Sequence, residues 1–257
     1  MILSRRVALD GVQLDEIDDA IVIQSVDPGT SQENVSAVDR MGYAGSRITG
    51  SHWQPLEAGV TFGINIPKRE LETRREIFDA VKKWAASKGW LTMNEMPERR
   101  MYVDKVILPA AGDLWNWTNE FAIKFKAYNV PFWQDAEANQ VQKTNVSTGS
   151  WQIEVGGDVK SVLDIDFKNT SGDTMTTFSI SAGGNTISLT GISLANNGTL
   201  KIHHGTDGLL RILAGTTDVY EKYTGADDLY VEPGTVTVSL TAGKAGNLTI
   251  KNYGRYA

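Results

Sequence analysis

The chain has 257 residues, room for two domains with separate cores, and its 41% hydrophobic and 22% charged content excludes intrinsic disorder. A formal net charge of −6, divided evenly between the two halves, excludes the clustered positive charge that a sequence-independent nucleic-acid binder needs. The absence of cysteine excludes disulfides, cysteine-based zinc sites and thiol catalysis. Met1–Arg6 leads into no apolar run long enough for a signal peptide, and no stretch approaches the ~20 apolar residues of a membrane span. The expectation is a soluble protein made in the cytosol, with no membrane insertion.

From the N-terminus, short strands alternate with turns. Arg6–Leu9 and Val12–Leu14 flank Asp10-Gly11, a two-residue hairpin signal. Ala20–Val26 is an apolar, β-branched run that stops at the turn Asp27-Pro28-Gly29. After a polar stretch come Gly45–Gly50 and Gly59–Ile66; in the latter Val60, Phe62, Ile64 and Ile66 alternate with small or polar residues. One segment, 68–88, has helical periodicity instead. Leu71, Phe78, Val81, Trp84 and Ala85 share a face, glutamates load the first half, lysines load the second, and Gly89 is placed to cap the end. Strands are then expected at Trp90–Asn94, Arg100–Leu108 and Phe121–Tyr128. The Pro131–Asp135 segment closes a first domain of residues 1–137.

Residues 138–150 are polar and are expected to form a linker. Beyond them the composition turns to Gly, Thr and Ser, with strand–turn–strand units from Trp151 to Lys251. The spacing predicts a second domain, 151–257, of jelly-roll or galectin-like sandwich type. The fold class is thus mainly β: an N-terminal β-sandwich or split-barrel-like domain with one α-helix, followed by a galectin-like β-sandwich.

Residues that could carry chemistry are few. His203 and His204 are adjacent on an expected strand and point to opposite faces, so they do not ligate one metal together. His52 lacks neighbours at ligand spacing. Asp164 and Asp166 could form the carboxylate pair of a glycoside hydrolase, but they read better as the exposed face of a regular strand. Asp227, Asp228 and Glu232 have no calcium-loop pattern around them, and no nucleophile elbow or phosphate-cradling loop occurs. No catalytic, metal or cofactor site is expected, and the chain is read as a non-enzyme. The aromatics Trp115, Trp117, Phe132, Trp133 and Trp151 gather near the domain boundary and are candidate interface residues.

In order and spacing these features resemble the distal tail (Dit) proteins of siphophages. The resemblance runs from Leu9-Asp10-Gly11 through Gly45–Ile48, Phe62-Gly63-Ile64, the single helix, Tyr102–Val106 and Phe121–Tyr128. It ends with Pro131-Phe132-Trp133 and the Gly/Thr-rich sandwich. The family implies a structural baseplate component at the distal end of the virion tail, made in the host cytoplasm. Its N-terminal domains would form a homo-hexameric ring joining the tail tube protein to a tail-tip, lysin-type hub protein. DNA would pass through the lumen, and the outer sandwich would dock a receptor-binding protein. The alternative is a carbohydrate-binding host-adhesion module. The second domain departs from galectins in having Trp151, Arg211 and Arg255 as its only tryptophan and arginines, which puts galectin-type sugar binding in doubt.

Overall fold

The structure, a computed structural model, describes residues 5–39, 46–67, 69–109 and 120–257, with Asp39 and Ser46 as backbone only. The chain divides after Trp133 into two compact units, the second spanning Gln134–Tyr256.

In the first unit β1 (Val7–Leu9) and β2 (Val12–Gln13) form the expected hairpin. Asp10 and Gly11 take φ of 52° and 81°, the two positive values that a type I′ turn requires. β3 (Ile21–Asp27), β4 (Glu33–Asp39), β5 (Ser46–Trp53) and β6 (Leu56–Ile64) precede α1 (Leu71–Ala85), the one α-helix of the described residues. After it come β7 (Gly89–Met93), β8 (Met96–Val103), β9 (Lys105–Ile107) and β10 (Glu120–Ala127). One sheet has the order β2-β1-β7-β8 and another β3-β6-β10-β9. The helix joins them. Its Phe78 ring packs 5.1 Å from Phe121 of β10, and Trp84 donates its indole N–H to the Val12 carbonyl beside β1 at 2.9 Å.

Three local expectations change. The helix buries Arg74, Ile77, Phe78, Val81, Trp84 and Ala85, a strict i, i+3, i+4 series, and leaves Leu71 exposed. Gly89 is not its cap. The helix stops at Ala85, and Gly89 begins β7, where a Cβ would lie 2.7 Å from the Asp10 side chain. The strand expected over 100–108 breaks at Asp104, whose carboxylate turns to accept the Tyr128 and Asn129 amides at 2.7 and 3.0 Å.

The second unit opens on β11 (Trp133–Asp135), which straddles the division, and β12 (Asn139–Val155). There follow β13 (Ser161–Asn169), β14 (Met175–Ala182), β15 (Asn185–Leu194), β16 (Thr199–His204), β17 (Leu210–Ala214) and β18 (Thr217–Asp218). β19 (Tyr223–Gly225), β20 (Tyr230–Val231), β21 (Gly234–Asn252) and β22 (Arg255–Tyr256) complete it. The segment expected to be a linker is the first part of β12. Asn139–Lys143 pairs with Leu248–Asn252, and Thr148–Val155 pairs with Gly234–Thr241. Its side chains are mostly exposed, so composition reports a polar stretch although the backbone is fully engaged in a ladder.

β21 organises the sandwich. Its first half pairs with β14, its second half with β13, and register shifts in β12 between Lys143 and Thr148 mark the corner between them. The sheet therefore curls over a single core that includes Leu163, Ile165, Phe167, Phe178, Ile180, Leu240 and Ile250. On the outer side, hydroxyl residues line up across strands: Ser150 opposes Ser239, Ser239 opposes Ser181, and Ser181 opposes Thr186. The two ends of this unit meet. Asp135 donates its amide to the Gly254 carbonyl at 3.0 Å, and its carboxylate accepts the Gly254 amide and the Tyr256 hydroxyl at 2.9 and 3.0 Å.

Candidate interaction surfaces

The least satisfied element of the first unit is the β4–β5 arm. Among the described residues its strands pair only with each other, from Glu33 opposite Trp53 to Asp39 opposite Ser46, with a bulge after Ser36. Every side chain described from Gln32 to Val38 and from Arg47 to His52 is exposed, including Val35, Val38 and Ile48, the last at 65%. A two-stranded ribbon without a third strand or a covering face is marginal in water and presents open edges. The root is fixed: Trp53 meets Phe132 edge-to-face at 5.0 Å, and Ser31 donates its hydroxyl to the Gln54 carbonyl. β4 escapes sequence reasoning because Glu33–Asp39 has no buried face to impose period two; only Val35 and Val38 hint at it.

The expected aromatic interface is largely internal. Trp115 and Trp117 lie outside the described residues. Phe132 and Trp133 are 7% and 2% exposed, and Trp133 donates its indole N–H to the Pro28 carbonyl at 3.0 Å. Rings so enclosed serve the core and the root of the arm and have little surface for a partner. Trp151 is half-buried and packs against the core of the second unit.

The polar residues divide in an unexpected way. Asp166 forms an ion pair with Lys251 at 2.7 Å, which holds the lysine above its usual range and suits a strand surface. Asp164 belongs to a different group. Its Oδ1 accepts the backbone N–H of His204 at 3.1 Å, while Nε2 of His204 lies 2.5 Å from Asp228 Oδ1. The adjacent-histidine argument considers the pair by itself and cannot see Asp164 and Asp228 brought up to His204 from other elements. His52 stands exposed on the arm. Among the described residues no set of three or more His, Asp or Glu side chains is arranged to hold a metal, and no helix is long and apolar enough to cross a membrane.

The chain matches no family model, and no curated protein matches it. Solved structures do. SPP1 Dit, described as a paradigm of the hub adsorption apparatus in phages infecting Gram-positive bacteria, is similar with a TM-score of 0.69 over 98% of this chain and 99% of that one, at 16% identity. The chain has the Dit fold. Chains of the phage P2 baseplate in its activated conformation, with Ca and with Sr, match at TM-scores of 0.49 each, with identities of 11% and 10%. In both cases 97% of this chain is covered, against 98% and 97% of the baseplate chains.

Proposed function

We propose that this protein is a structural hub of a phage tail, a non-catalytic ring that joins the tail tube to the tail-tip proteins. The observation that carries the reading is the fold similarity to SPP1 Dit over 98% of this chain and 99% of that one. The unpartnered arm supplies a reason to assemble, since a second copy that covers its edges satisfies backbone groups otherwise left to water. In this reading the first unit builds a homo-hexameric ring around a passage for DNA, and the second unit projects outward to dock a receptor-binding protein. The site of action is the distal end of the virion tail. Trp115 and Trp117 are proposed contacts to tube or tip proteins.

Negative-stain microscopy and light scattering of the full chain test this proposal. Closed rings are expected, and a chain that remains monomeric at high concentration and is absent from tails overturns it. Replacing Val35, Val38 and Ile48 together by Asp is expected to abolish rings while the monomer keeps its melting temperature, because none of the three contributes to a core.

A further inference from the structure

An asparagine or aspartate followed by glycine carries its own electrophile and nucleophile. The next amide nitrogen can close a five-membered imide on the side-chain carbonyl carbon, and glycine leaves that nitrogen unhindered. The chain holds three such dipeptides: Asp10-Gly11, Asn197-Gly198 and Asp207-Gly208. The fold treats them differently.

At Asn197-Gly198, between β15 and β16, both backbone amides are committed. Asn197 donates to the Asn169 carbonyl at 2.8 Å and Gly198 to the Ala195 carbonyl at 2.9 Å. Asn169 is wholly buried, and its side-chain amide donates to the Asp173, Leu194 and Ala195 carbonyls. This turn therefore does not rearrange without undoing the loops around it. At Asp207-Gly208, between β16 and β17, the glycine amide donates to the Gly205 carbonyl at 2.9 Å. The Asp207 carboxylate accepts the Leu209 amide at 3.2 Å and pairs with Arg211 at 2.7 Å. The Leu209 amide and then Arg211 hold this carboxyl below the usual carboxylate range, and the anion is a poor electrophile.

Asp10-Gly11 lacks these restraints. The pair is exposed at the tip of the β1–β2 hairpin, where the Asp10 amide is anchored on the Trp90 carbonyl at 2.9 Å. Among the described residues the Gly11 amide has no acceptor and the Asp10 carboxylate no donor. The Asp10 side chain lies over Gly89, which has no side chain to wedge against it, and a Cβ on Gly11 would meet nothing within 4 Å. Nucleophile, electrophile and attacking water all have room.

We propose that Asp10-Gly11 is the site at which the folded chain modifies itself, forming isoaspartate. The Gly11 nitrogen bonds to Cγ of Asp10, while its hydrogen, one carboxyl oxygen and a proton from solvent leave as water. Water then adds to the imide. Cleavage between the nitrogen and Cγ restores aspartate. Cleavage between the nitrogen and the Asp10 main-chain carbonyl carbon routes the chain through Cβ and Cγ and lengthens the backbone by one atom. A two-residue turn has no slack for that atom. It falls beside Val12, whose carbonyl accepts the Trp84 indole N–H from the helix.

Peptide mapping by mass spectrometry, with fragmentation that distinguishes isoaspartate from aspartate, tests this on the full-length chain kept folded at neutral pH. Isoaspartate is expected first at Asp10. In guanidinium the order is expected to reverse, with Asn197 reacting first, because a side-chain amide is the better electrophile once no turn restrains it. The variant Asp10→Asn makes the comparison internal: the same dipeptide then stands in both turns, and it suits type I′ geometry equally well. In the folded variant the substituted position is expected to deamidate at least about tenfold faster than Asn197, whose turn must first give up its hydrogen bonds. In denaturant the two are expected to react alike. A folded wild type that modifies Asn197 or Asp207 first, or that keeps Asp10 intact while the denatured chain reacts, overturns the proposal. So does a folded variant whose two sites deamidate at the same rate.

Discussion

Arg74 is 1% exposed, the bulkiest of the fully buried side chains, and it donates to the carbonyl of Ile66 at 3.1 Å. A charged side chain at this depth persists because its donors meet backbone acceptors just past the end of β6. Replacing it by Met keeps the volume and orphans those acceptors, so a loss of about 1–3 kcal/mol is expected in urea titrations. Phe78 presents the opposite case. Its ring is wholly buried against Phe121, with the Lys82 ammonium 4.9 Å from its centroid, and Phe78→Ala is expected to cost more, about 3–5 kcal/mol, through lost burial and the cavity. If Arg74→Met proves the costlier of the two, the guanidinium does more than satisfy carbonyls. Gly157 is the corresponding constraint in the second unit. With φ of +99°, it would place a Cβ 2.2 Å from the Arg255 carbonyl oxygen, and Gly157→Ala is expected to destabilise that unit by more than about 1 kcal/mol.

At the scale of elements, the arm and the long β12–β21 ribbon behave differently. Among the described residues, the side chains of the arm from Gln32 to Val38 and from Arg47 to His52 are all exposed, so when the arm is shortened to a tight turn the melting temperature is expected to stay within a degree or two, a shift worth only tenths of a kcal/mol. A large fall in calorimetry would mean that the arm supports the monomer and is not reserved for a neighbour. Elements with one buried face were legible in the sequence: β6 and β10, whose Phe62 opposes Phe121, and the hairpin at Asp10-Gly11. The helix was legible too, except that Arg74 fills a core position no hydropathy pattern assigns to arginine. Two of the longer stretches missed, β4 and the start of β12, have side chains that mostly face water. Their ladders are made by the backbone, which every sequence supplies equally. The His204 group was illegible for another reason. Asp164 and His204 lie 40 residues apart and His204 and Asp228 lie 24 apart, and the register of β13 with β16 brings the first two together.

For the whole molecule, each unit has its own core, and the second is expected to fold when expressed alone as residues 134–257. A cooperative melt with native-like near-UV dichroism would support this; a molten chain would argue against it. The meeting of Asp135 with Gly254 and Tyr256 then bears on how such chains diversify. A folded body whose entry and exit are hydrogen-bonded to each other is a cassette. It can be exchanged for another of different shape, or enlarged at its far loops, without changing the path of the chain that precedes it. Exchange of the second unit, Gln134–Tyr256, for another body closed in the same way leaves the chain path of Met1–Trp133 as it is.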